Sequence, residues 1–148
     1  MLRFAMTEHY RRLERMYLAA PANQKFQNLA IHISDSRSEV AFDVTPDLCH
    51  AAGAMHGCYY FKALDDAAFF AANSLVEDVF VLTADFMVQF FLPVPTGRIT
   101  AVGTITKLGY NLSFADAVIE DDEGNELARG RGSFARSSMR LDTIELYR

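Results

Sequence analysis

Two adjacent acids, Asp65 and Asp66, interrupt the largely apolar run Phe61-Lys62-Ala63-Leu64-Asp65-Asp66-Ala67-Ala68, which follows Met55-His56-Gly57-Cys58. A carboxylate surrounded by hydrocarbon is costly to keep ionised, so it is either hydrogen-bonded for structure or held for a reaction. On a helix over 57–74, at about 100° per residue, Asp65 falls among Cys58, Phe61, Phe69 and Ala72, and Asp66 beside Tyr59, Lys62 and Asn73. Asp66 has an ion-pair partner one turn back and reads as a structural acid. Asp65 has no local counter-charge, and desolvation raises such a carboxyl above its reference pKa of about 3.9, making the carboxylate more basic and more nucleophilic. From the pattern alone, a satisfied core acid is the commoner outcome and a catalytic acid the alternative.

The start of this helix offers a complement. The first backbone N–H groups of a helix lack intrahelical partners and point toward any oxygen that develops negative charge, so His56-Gly57 reads as an oxyanion site, or else as a turn that uses its glycine. Gly57 and Asp65 stand about 12 Å apart along one helix, too far to act on one carbonyl. If both are catalytic, two such helices lie antiparallel across a two-fold axis, with Gly57 of one subunit facing Asp65 of the other.

These residues need a scaffold, and the hydrophobic pattern describes one. Leu2, Met6, Leu13, Met16 and Tyr17 recur at helical spacing, giving a lead helix over 1–20 that ends at Ala19-Ala20-Pro21. Ala30–Ile33 and Val40–Val44 form a hairpin around the polar run Ser34–Ser38. Residues 46–56 are a loop, and 57–74 a central helix buried on most sides. From Val81 to Leu92 the chain alternates, with Leu82, Ala84, Phe86, Val88 and Phe90 on the buried side and Thr83, Asp85, Met87 and Gln89 opposite. Arg98–Leu108, Leu112–Glu120 and Glu126–Ser137 follow as strands joined by short turns, an antiparallel meander, and 138–148 is a tail. The class is α+β, a curved sheet wrapped around one long helix, and 1–148 is a single domain.

Bulk properties exclude several functions. A net charge of −5 lacks the basic footprint of a nucleic-acid binder. Cys49 and Cys58 are too few for a disulfide framework and read as reduced thiols. Charged residues punctuate the N-terminus and no stretch reaches the roughly 20 apolar residues of a membrane span, so a soluble cytoplasmic protein is expected.

The sequence resembles the hotdog-fold acyl-CoA thioesterases of the PaaI (phenylacetic acid degradation) type. The family's His-Gly-Gly turn, acid eight residues after the first Gly, and small-residue helix ending in Asn-Ser map onto His56-Gly57-Cys58, Asp65 and Ala71-Ala72-Asn73-Ser74. Thr83-Ala84-Asp85-Phe86 through Pro93, and Ala128 to Phe134, look like the family's later strands. The resemblance implies hydrolysis of an acyl thioester, acyl-CoA or acyl carrier protein, with Asp65 as general base or nucleophile and Gly57 as oxyanion donor. It implies that His56 supports the turn, that Thr83 orients the attacking water, and that His50 lies near the acyl group, with Cys58, Phe61 and Asn73 as further substrate contacts. No metal is implied, and no cofactor beyond the CoA of the substrate. The family forms dimers through its central helices, commonly paired into tetramers. Two features depart from it: Cys58 replaces the second Gly, and Gly109-Tyr110-Asn111 stands where many members carry a basic or small residue near the CoA phosphates.

Other readings fit less well. Adjacent Cys49-His50 would strain a tetrahedral zinc site with His56 and Cys58, and a Cys58–His56 nucleophilic pair lacks an orienting third group. A hotdog-fold hydratase pairs its His and acid differently. A ligand-binding protein that keeps the pocket without turnover is the rival from another class.

Overall fold

Helix α2 (Gly57–Asn73) contains five alanines and no β-branched residue, which favours a helix, while its five aromatic side chains lose rotamer freedom there and are held by packing. In the computed structural model, which describes residues 2–148 and their side chains from residue 5 onward, it is the element around which the chain is built. Its flanks are α1 (Leu2–Ala19), β1 (Ala30–Ser34), β2 (Arg37–Val44), β3 (Val79–Phe90), β4 (Gly97–Lys107), β5 (Leu112–Glu120) and β6 (Glu126–Arg140). All strands pair antiparallel in one six-stranded sheet of order β1-β2-β4-β5-β6-β3.

The meander is therefore only partly as the sequence suggests. β4, β5 and β6 are consecutive neighbours, but β3 pairs with β6 at the far edge rather than with β4. The prolines at 93 and 95 cannot donate to a ladder, and the link between β3 and β4 passes the start of α2, where Met55 N–H donates to Val94 O at 2.8 Å. The hairpin is longer than expected: Ser36 takes a left-handed φ of 63°, so Ser34, Arg37 and Ser38 join the strands. β6 likewise runs on to Arg140, into the segment read as tail, and Leu141 and Tyr147 beyond it are buried.

Small side chains on the sheet let α2 sit close. Ser38, Ala101, Ala115 and Ala117 face it, and a Cβ at Gly103 would stand only 2.2 Å from Ala67 O and 2.5 Å from Ala68 N. Larger apolar residues, Phe42, Leu48, Leu64, Ile99, Ile119 and Phe134, close the core around this contact.

The two sheet edges are treated differently. On the β1 edge, α1 satisfies the outward backbone groups of Ile33: Arg11 donates to its carbonyl at 2.9 Å and Glu14 accepts from its N–H at 2.7 Å. On α1 the buried face includes His9, Tyr10, Leu13, Met16 and Tyr17; the side chain of Leu2 lies outside the described residues. His9 donates from Nε2 to Asn73 O (2.8 Å) and accepts from the Tyr147 hydroxyl (2.7 Å), tying both chain ends to α2; burial holds its pKa below the usual value. Among the described residues the β3 edge has no such cover, and it carries Leu82, Met87, Phe90, Phe91 and Leu92, all about half exposed. An open apolar edge strand is a template for pairing with another strand. No helix among the described residues is long and apolar enough to cross a membrane.

Candidate active site

Asp65 lies on the α2 face turned away from the sheet centre, where it meets β3. Its Oδ1 accepts a 2.8 Å hydrogen bond from the Thr83 hydroxyl, and among the described residues it makes no other. Burial pushes its pKa up to about 6, against the lowering effect of the Thr83 bond. Phe61 and Phe69, one turn to either side, extend the apolar surroundings: Phe61 meets Phe86 edge-on at 5.5 Å, and Phe69 meets Phe80 at 5.1 Å.

Thr83 reaches Asp65 because β3 does not alternate as the sequence suggests. A β-bulge inserts Ala84 as an extra residue: Thr83 pairs with Phe134 and Asp85 with Ser133, leaving Ala84 unopposed. The bulge resets the phase, so that Val79, Val81 and Thr83 face α2 before it and Phe86, Val88 and Phe90 face α2 after it. Leu82 and Ala84, read as buried, are exposed. Asp85 turns outward, where its Oδ1 accepts from Ser133 N–H at 3.2 Å.

Asp66 is fully engaged elsewhere. The Lys62 ammonium lies 2.8 Å from Oδ2 and the Tyr17 hydroxyl donates to the same oxygen at 2.7 Å, with the phenol's pKa raised by burial and by the Asp66 charge. The two acids thus differ as the helical projection requires.

The second part of the site is the start of α2. His56 is the N-cap, its Nδ1 accepting from Cys58 N–H at 3.0 Å, so the proton of the neutral ring belongs on Nε2. Tyr59 N–H goes to His56 O. Of these first helical donors only Gly57 N–H has no partner among the described residues, which leaves one N–H free rather than a pair. It borders a cleft of about 250 Å³ lined by His50, Met55, Tyr60, Phe90 and Leu92. His50 is exposed and accepts from Ala52 N–H at 3.1 Å. Cys58 is an exposed free thiol.

The structure therefore groups Asp65, Thr83 and Phe61 in one place, and His50, His56, Gly57 and Cys58 in another. Asn73 belongs to neither, and its assignment as a substrate contact is corrected. It is completely buried, donates to Val76 O and Val79 O, and accepts from Val81 N–H, so its amide closes the end of α2 onto the start of β3. Ser74 extends this lock, donating to Ala71 O and accepting from Ser36 N–H. Alternation alone puts Phe86 and Phe90 on the buried side of β3, but only the bulge that places Thr83 on that same side brings them into line with the site. Although His50, His56 and Cys58 all lie near the start of α2, no group of side chains that could hold a metal ion forms among the described residues. A groove of about 610 Å³ lies on the outer face of the sheet by Met87, Phe114, Asp116 and Arg131, with the sheet between it and Asp65.

Comparison with known proteins places this architecture. The chain has the fold of the PaaI protein of E. coli from the phenylacetic acid degradation operon, with a TM-score of 0.82 at 18% identity over 92% of this chain and 98% of that one. The phenylacetic acid degradation protein PaaI of Thermus thermophilus superposes with a TM-score of 0.72 at 21% identity, over 80% of this chain and 100% of that one. A thioesterase of Haemophilus influenzae gives 0.74 at 19% identity, over 82% and 85%. No curated protein matches the sequence. The thioesterase superfamily model matches residues 52–128, a span that runs from the loop before α2 into β6 and includes Gly57, Asp65 and Thr83. With its hotdog sheet, its central helix and this match over half its length, the chain belongs to the thioesterase superfamily.

Proposed function

We propose that this protein hydrolyses an acyl thioester, acyl-CoA in the first instance, to the free acid and the thiol, at a site that two copies of the chain complete together. The observation that carries this reading is the Asp65 carboxyl, half enclosed by aromatic residues, held by one hydroxyl and tuned to about 6. At neutral pH it is ionised yet far more basic than an ordinary carboxylate. It takes a proton from water or attacks the acyl carbon directly, and both routes need the ionised form. Thr83 fixes one oxygen and leaves the other for the reaction.

The unclaimed Gly57 N–H supplies what Asp65 lacks, a donor for the carbonyl oxygen as it becomes negative. The open apolar edge of β3, with the half-exposed Phe61 beside Asp65 on α2, supports a partner copy that brings its own Gly57 to this carboxylate. His56 acts indirectly by capping the helix turn that presents Gly57.

Thiol release from a panel of short, medium, aromatic and long acyl-CoAs tests the reading. We expect turnover that rises through pH about 6 and levels off above it, as Asp65 loses its proton. Tight binding of acyl groups without thiol release at any pH would instead favour a ligand-binding protein.

A further inference from the structure

The bulge at Ala84 has a second effect at the far end of β3, where it turns Phe90 toward α2. The ring of Phe90 lies against Gly57: a Cβ there would stand 3.3 and 3.4 Å from two of its ring carbons. It also meets Tyr60 edge-on, at 5.5 Å and 76°. Tyr60 is itself fixed, buried to 3% exposure with its hydroxyl donating to Leu92 O at 2.8 Å. The Phe90 ring therefore packs on an immobile neighbour, while the side chain remains 56% exposed.

We infer that Phe90 is the wall that sets the length of the acyl group accepted beside Gly57, and that the cleft takes a short to medium, uncharged acyl chain or an aryl acyl group of similar size. This rests on the thioesterase reading. A thioester carbonyl placed on the Gly57 N–H directs its acyl chain into the adjoining cleft, along the Phe90 ring. The cleft walls are largely apolar (Met55, Tyr60, Phe90, Leu92) beside the exposed His50, and among the described residues no lysine, arginine or carboxylate lines them to receive a charged chain end. The cleft is small, about 250 Å³. Truncating Phe90 to alanine removes its ring from that wall and lengthens the space.

The test is kcat/KM for straight-chain acyl-CoAs of about four to about sixteen carbons, measured on wild type, Phe90→Ala and Phe90→Leu, with equilibrium binding of the matching free acids. Wild type is expected to peak at or below about eight carbons and fall at least tenfold by about fourteen; Phe90→Ala moves the peak up by about four carbons, and Phe90→Leu falls between. A Phe90→Ala profile with the wild-type shape, at whatever overall level, overturns the inference. Acid binding keeps the two readings apart. If wild type releases no thiol from any substrate, the thioesterase reading fails, yet a shift in acid chain-length preference with Phe90→Ala still supports the wall and an unchanged preference still rejects it.

Discussion

Asp65→Asn is expected to lower kcat for thioester hydrolysis by roughly 10³-fold while making the protein more stable. The amide is nearly isosteric and keeps an oxygen to accept the Thr83 hydroxyl, so the geometry survives, but it can neither take a proton from water nor attack an acyl carbon. The stability gain follows from linkage. Burial raises the folded-state pKa from 3.8 to about 6, so the folded protein holds a proton that the unfolded chain releases. The neutral carboxyl is tolerated at low pH, and the cost of ionising it appears as pH rises from 3.8 through about 6. Allowing for partial exposure, that cost is on the order of 2 kcal/mol above pH about 6, and Asn does not incur it. Melting curves should show the variant ahead of wild type by about 5 °C near pH 8, with the gap closing near pH 4. Asp66→Asn provides the contrast. It weakens the contacts to Lys62 and Tyr17, so it should cost about 1–3 kcal/mol of stability and leave kcat within a few-fold of wild type. Hydrolysis that survives Asp65→Asn but fails in Asp66→Asn would reverse the assignment.

Gly103→Ala is expected to destabilise the fold by about 3 kcal/mol or more, the largest effect of any single methyl addition in the sheet. The added Cβ would lie 2.2 Å from the Ala67 carbonyl oxygen and 2.5 Å from Ala68 N, both backbone atoms in the middle of α2, which cannot rotate aside. Relief requires the helix to lift from β4, and that also withdraws Asp65 from Thr83. Gly53 is the control. It has a φ of +88° but nothing within 4 Å of an added Cβ, so alanine there costs only backbone strain, about 1 kcal/mol. Urea unfolding of the two variants separates steric exclusion from conformational preference; equal losses would remove Gly103 as the seat of the helix.

The elements and the different surroundings of the two acids were legible because they rest on local periodicity. A 3.6-residue repeat alone places Asp66 beside Lys62 and isolates Asp65, and the structure keeps both environments. What depended on long-range pairing was not legible. The Ala84 bulge exists because β3 pairs with β6 across fifty residues, and it moves Thr83 and Phe90 onto the same side of the sheet, where simple alternation separates them. The strand order failed for the same reason: proximity in sequence put β3 beside β4, while the proline-containing link carries the chain past the start of α2. Asn73 shows a third limit. An amide at the end of a small-residue helix fits a substrate contact and a helix-closing lock equally well in sequence, and only its three hydrogen bonds to backbone decide for the lock.

In the proposed site Asp65 of one chain works with the Gly57 N–H of another. Gly57→Pro removes that single donor at the first helical position, where proline's φ is tolerated although its Cβ would stand 3.3 Å from the Phe90 ring, and should lower kcat about 10²- to 10³-fold. Mixing equal amounts of Gly57→Pro and Asp65→Asn, with subunit exchange allowed, is the most direct test. In the mixed dimer one site receives both intact residues and the other receives both altered ones, so activity is predicted to recover to about a quarter of the wild-type level. Exchange without recovery above the two parent variants would contradict a site shared between chains.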